Sequence, residues 1–141
     1  MKTGLLSIWV YELFKLILTS YRDAARWVYQ ARATIEAYEQ GTPQFRLMKW
    51  RQTFDTPTYQ REFNPPDEKI WDFKLQTTKE IVVDRASTKS YIAVLPDDKK
   101  TEVLEEVGRI VDQGLDRVWI DETQGVFEYP YKAYVVIAHK R

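Results

Sequence analysis

The chain has no cysteine, one histidine and five glycines in 141 residues. Lack of cysteine excludes disulfide staples, thiolate metal sites and cysteine nucleophiles, and fits a reducing, cytoplasmic setting. His139 alone cannot build a metal cluster, because a metal site draws several such ligands together. The glycines stand at 4, 41, 108, 114 and 125, so neither a Gly-x-Gly turn nor a Walker loop is present to cradle phosphates. The Gly-x-Ser-x-Gly and His-Glu-x-x-His patterns are missing too. Charge of one sign is not in excess: 21 basic residues balance 21 acidic ones, so no net field draws the chain to nucleic acid or an anionic membrane.

A long uninterrupted apolar run is also lacking. Residues 4–20, GLLSIWVYELFKLILTS, come nearest, but Glu12 and Lys15 break them. A membrane-spanning helix needs about 20 largely uncharged residues, and no small-residue cleavage site of an exported protein follows. The stretch therefore reads as a buried strand over 4–9 and an amphipathic segment after it.

What is present is globular: 44% hydrophobic and 30% charged residues, at the length of a single domain. Ala24, Trp27, Val28, Ala31, Ile35 and Tyr38 recur at helical spacing and predict a helix over 23–40, begun by Asp23 and ended by Gly41. Residues 42–72 carry four prolines and Phe45, Trp50, Phe54, Tyr59, Phe63 and Trp71, and fit neither period. Irregular aromatic chain of that length forms a lid or lines a pocket. A short strand follows over 73–78, then a helical turn over 80–85. Pro96-Asp97-Asp98 opens a second helix with Val103, Leu104, Val107, Ile110 and Val111 on one face and Gly114 at its end. Residues 117–121 and 126–138 flank Glu122-Thr123-Gln124-Gly125 as a hairpin, and the apolar run 133–138 belongs in the middle of a sheet. The order of elements predicts an α/β domain with a mixed sheet.

Chemistry is confined to two segments. Ser87 or Ser90 with His139 offers a hydroxyl and a base but no third member. Asp97-Asp98 and Asp121-Glu122 read as a helix start and an exposed turn rather than metal ligands. In residues 41–51, GTPQFRLMKWR, three cations alternate with Phe45 and Trp50. They form either a solvated basic face with the rings as anchors, or a lid whose Arg46 or Arg51 pairs an anionic substrate. In residues 84–91, DRASTKSY, hydroxyls and cations share one turn, which either caps a helix and holds an ion pair or contributes to a site.

Thr42-Pro43-Gln44-Phe45-Arg46, Lys49-Trp50-Arg51, Ser87-Thr88-Lys89-Ser90-Tyr91 and Phe127-Glu128-Tyr129-Pro130-Tyr131 together carry a resemblance. The chain resembles the C-terminal half of fungal class I S-adenosylmethionine-dependent methyltransferases of the methyltransferase type 11 group, similar to the trans-aconitate methyltransferase relatives. The likeness spans about residues 23–140. It implies one partial domain over 1–141, from a doubly wound, Rossmann-like sheet. In it 4–9 is the fifth strand, 23–40 the helix after it, 73–78 the sixth strand, and 131–138 an antiparallel seventh. Residues 42–72 become a substrate-side cap, and 10–20 an insertion. The implied activity is methyl transfer to a small-molecule acceptor, with Arg46, Trp50, Arg51, Lys89, Ser90 and Tyr91 as candidates to contact it. The family's glycine-rich cofactor turn has no counterpart here, so S-adenosylmethionine is expected to bind the intact relatives and not this chain alone. No nucleic-acid or membrane partner is expected. The competing expectation is a non-catalytic interaction domain, and on either reading an exposed sheet edge favours self-association.

Overall fold

The computed structural model describes residues 12–20, 22–41 and 43–141. The expected strand over 4–9 lies outside them. An α/β layer is present, and its sheet is antiparallel at every described pairing. Strand β4 (Val126–His139) takes β1 (Glu12–Ser20) on one side and β2 (Asp67–Thr77) on the other, while the short β3 (Trp119–Asp121) pairs with its beginning. The sheet is therefore not mixed as expected: β1 and β2 run parallel to each other but never touch, because β4 lies between them. The apolar run at 133–138 explains that placement, since a strand with neighbours on both sides needs apolar contacts on both faces.

Strand β1 falls inside the stretch expected to be an insertion. It keeps an unbroken register from Glu12 opposite His139 to Ser20 opposite Tyr131. The sequence ELFKLILTS satisfies a strand despite Lys15, because β-branched and aromatic residues suit a pleated surface. Strand β2 begins six residues earlier than expected. Eight of its eleven residues are exposed, and an edge strand open on both faces shows no alternation to read.

Helix α1 (Arg26–Glu36) buries Trp27, Val28, Ala31 and Ile35. Its start was assigned to Asp23, but residues 22–24 form a separate 3-10 turn and Ala25 occupies the cap position with no side-chain bond. The open amides are met from far along the chain instead. Arg26 N donates to Asp116 Oδ2 at 3.2 Å, and Trp27 N donates to the Leu115 carbonyl at 3.1 Å. The Arg26 guanidinium closes the same junction on both Asp116 oxygens, at 2.8 and 3.0 Å. Four to five residues before Gly41 the helix gives way to turns.

The expected irregular segment is partly helical. Two 3-10 stretches, Phe45–Leu47 and Lys49–Asp55, lead to α2 (Pro57–Glu62), where the Thr56 hydroxyl accepts from Tyr59 N and Pro57 takes the first position. Their rings form a chain of contacts, Tyr134 to Phe45 to Trp50 to Phe54 to Tyr59 to Phe63, with successive centroids 5.0–5.8 Å apart. This row gives the cap its own small core and joins it to β4.

Helices α3 (Lys79–Ser87), α4 (Ser90–Ala93) and α5 (Asp97–Gln113) complete the helical layer. Helix α5 matches its expected span and buries Val103, Val107, Ile110 and Val111. Gly114 ends it at φ +53, the left-handed position that favours glycine, and an added Cβ would press on the Arg117 guanidinium 2.6 Å away. Arg117 donates to the Val111 carbonyl at 2.7 Å and lies over the Trp119 ring. The core closes where Trp27, 1% exposed, meets the edge of Phe127 at 5.5 Å.

Replacing Trp27 with alanine removes this joint between helix and sheet. The expected outcome is a loss of about 3–5 kcal/mol in urea unfolding, against no more than about 0.5 kcal/mol for exposed Tyr29→Ala.

Candidate functional site

A cavity of about 150 Å³ lies between α1, the cap, α3 and the first half of β4. Its floor is aromatic and its rim cationic. Tyr129 and Tyr131 come from β4, Phe45 from the cap and Tyr91 from α4. Alternation along β4 turns Phe127, Tyr129 and Tyr131 to one face, so a strand running into the helical layer delivers two phenols to the same wall. Burial pushes the Tyr131 hydroxyl well above the ordinary tyrosine range, with Tyr129 adding to it. Tyr91 is raised as well, by burial and then by Glu39 and Glu36. Both phenols stay protonated at neutral pH and serve as hydrogen-bond donors, not bases.

Four cations line the cavity: Arg32, Arg46, Arg85 and Lys89. Two are committed to carboxylates. Arg46 reaches from the cap to α1, donating to both Glu39 oxygens at 2.6 and 2.7 Å, and lies 3.3 Å from Glu36. Arg32 pairs with Glu36 one turn on. Glu39 is 7% exposed, so this cluster fixes the cap to the helix through a desolvated, bidentate pair. Arg85 stacks on the Tyr131 ring at 5.1 Å. Neither Arg85 nor Lys89 is paired with a carboxylate among the described residues. Desolvation lowers the Lys89 pKa from its ordinary 10.5, and repulsion from Arg85 and then Arg32 lowers it further, against the pull of Glu36. Among the described residues these four cations face two carboxylates, Glu36 in the lining and Glu39 behind Arg46, a surplus of two positive charges.

Three of the six residues expected at a site, Arg46, Lys89 and Tyr91, line this cavity. The others are placed elsewhere. Trp50 packs inside the cap between Phe45 and Phe54, because the ring row needs it there. Arg51 is bonded bidentately to Glu68 on β2, 2.6 Å from each oxygen, and stacks on Trp50. Ser90 begins α4 and lines a separate shallow depression with Tyr38 and Val94. The sequence reading missed Arg32, Tyr129 and Tyr131 as wall residues and did not single out Arg85 within its segment. The signal that could have found Arg85 was its place four residues before Lys89, where the chain passes from α3 into α4.

Among the described residues no group of three or more acidic or histidine side chains could hold a metal ion, and no helix is long and apolar enough to cross a membrane. No family model and no curated protein matches the chain.

The charge excess has a consequence for Lys89. A lysine whose folded-state pKa is depressed loses native stability when protonated, so its contribution improves as pH rises through the folded value toward 10.5. Arg85→Met removes one repulsion and is expected to raise the Lys89 pKa, followed by NMR titration of its amine. An unchanged or lower value would show that Arg85 does not share the field of this cavity.

Proposed function

We propose that the chain is the acceptor-binding part of an S-adenosylmethionine-dependent methyltransferase, with a small anionic molecule as acceptor. The observation that carries this reading is the place of the cavity on the sheet. Tyr131, in its floor, pairs with Ser20, the last residue of β1. The cavity thus lies beside the carboxyl end of β1; if β1 and β2 belong to a larger doubly wound sheet, that is the end at which such sheets bind ligands. A last strand antiparallel to both neighbours and a cap ahead of β2 support the reading, with β1 at Glu12–Ser20 standing where the resemblance puts residues 4–9.

The cavity does not fit the cofactor. About 150 Å³ is below the roughly 300–1,000 Å³ typical of drug-sized ligands, and its two surplus positive charges oppose a cationic sulfonium. No step through the cofactor is therefore assigned to these residues; its binding falls to residues outside them. What they supply is acceptor binding. Arg85 and Lys89 neutralise the anion, Tyr91 and Tyr131 donate hydrogen bonds, and the cap keeps water from the reacting oxygen. Glu36 is held by arginines, so among the described residues no unpaired carboxylate stands in the wall. An acceptor bound as a carboxylate needs none, since its oxygen already carries the attacking pair.

The exposed Ile70, Trp71 and Phe73 of β2 favour a second reading, a non-catalytic interaction domain.

Calorimetry on the chain separates these readings. Succinate is expected to bind, with affinity falling as pH rises through the Lys89 pKa. Arg85→Met and Lys89→Met are each expected to weaken binding roughly 10–100-fold, the value of a charge-assisted hydrogen bond. S-adenosylmethionine is expected not to bind at micromolar concentration. Coding sequence for a glycine-rich strand-turn-helix in frame upstream, giving a longer chain that transfers labelled methyl groups to a carboxylate, is the expected genomic outcome. Its absence, together with failure of succinate to bind, would leave the interaction-domain reading standing.

A further inference from the structure

Strand β2 has a free backbone edge along its whole length among the described residues, because β4 occupies the other side. It has no proline and no bulge; its guard is five charged residues, which oppose pairing except in a register that sets unlike charges together. Its large apolar residues are also uncovered: Ile70 is 56% exposed, Trp71 50% and Phe73 42%. The helical layer reaches only the end of the strand, where Thr77 is buried and α3 begins.

We propose that β2 is a homodimer seam, pairing antiparallel with β2 of a second copy about a two-fold axis at Trp71. Charge complementarity selects both occupant and register. In a two-fold pairing of one strand with itself, facing residues must point to the same side of the sheet, so the axis passes through a residue rather than between two. An axis at Ile70 sets Glu68 opposite Asp72, and an axis at Lys69 or Asp72 sets that charge on itself. Like charges directly opposite destabilise a sheet. An axis at Phe73 carries the second copy past buried Thr77 and into the start of α3. The axis at Trp71 keeps the pairing within the exposed stretch and opposes no like charges.

In that register Glu68 faces Lys74 of the second copy, twice by symmetry. Within one chain Glu68 is bonded to Arg51 at 2.6 Å and Lys74 to Glu128 at 2.6 Å. Dimerisation therefore joins two existing pairs into a row of alternating sign, Arg51, Glu68, Lys74, Glu128. On the opposite face Trp71 meets its own copy with Phe73 diagonal to it, which closes the uncovered rings over each other. The cavity is not involved, so this inference stands apart from the proposed function.

The native chain lacks cysteine, which allows a direct test on the full chain. Facing residues at a two-fold axis have Cα atoms about 4.5–5.5 Å apart, within disulfide reach. Trp71→Cys is expected to crosslink into a covalent dimer on mild oxidation. Gln76→Cys, about 30 Å from its own copy in this register, is expected not to. Sedimentation of the unmodified chain is expected to show a monomer–dimer equilibrium. Lys74→Glu should weaken it roughly tenfold, and adding Glu68→Lys to that variant should recover part of the loss, since unlike charges again face each other across the seam while the pairs with Arg51 and Glu128 stay broken. A monomer at every concentration, equal crosslinking at positions 71 and 76, or no response to Lys74→Glu would each overturn the proposal.

Discussion

Every described strand takes its backbone partners from β4 (Val126–His139). That dependence orders the rest of the molecule. The first half of the strand presents Phe127, Tyr129 and Tyr131 to the helices, where Phe127 locks Trp27 and the two tyrosines become the floor of the cavity. The second half buries Val136 and Ala138, and Tyr134 receives the first ring of the cap. One strand thus carries the core, the binding wall and the cap support in succession. Loss of its pairing would separate all three, because β1 and β2 have no contact of their own within the sheet.

The cap is held by two unlike devices. Its row of rings is apolar and local, and gives the segment shape without committing it to a position over the cavity. Arg46 supplies the position by gripping Glu36 on α1 and Glu39 three residues past its end. A bidentate pair of low exposure is directional, and its cost of desolvation is recovered only in good geometry. Cations that complete such pairs fix the cap, whereas Arg85 and Lys89 have no carboxylate partner among the described residues. The division is drawn by which carboxylates lie within reach.

Much of the helical layer was legible in the sequence. Helix α5 shows an amphipathic period, an acidic first turn after Pro96 and a glycine at its end, all pointing the same way. The central position of β4 followed from its apolar run. Strand β2 was not legible at its beginning, since residues exposed on both faces leave no alternation, and β1 was obscured by the charges within it. Helix α2 carried a signal, Thr56 before Pro57, that the aromatic density around it masked. Arg46, Lys89 and Tyr91, which the cavity gathers, sit in unusual local patterns, whereas Tyr129 and Tyr131 look like ordinary strand residues. Trp50 and Arg51 lie in the cap instead, since a basic aromatic cluster also builds a local core.

The junction at Asp116 bears on how the chain assembles. The first amides of α1 are satisfied by residues about ninety positions later, beyond the whole cap, β2 and the helices α3 to α5. Few elements of an early helix can be complete before α5 has formed and turned at Gly114. Closure of so long a loop is slow compared with local helix formation, so α1 is expected to fray at its beginning during synthesis and to be fixed there only once the turn after α5 brings in Leu115 and Asp116.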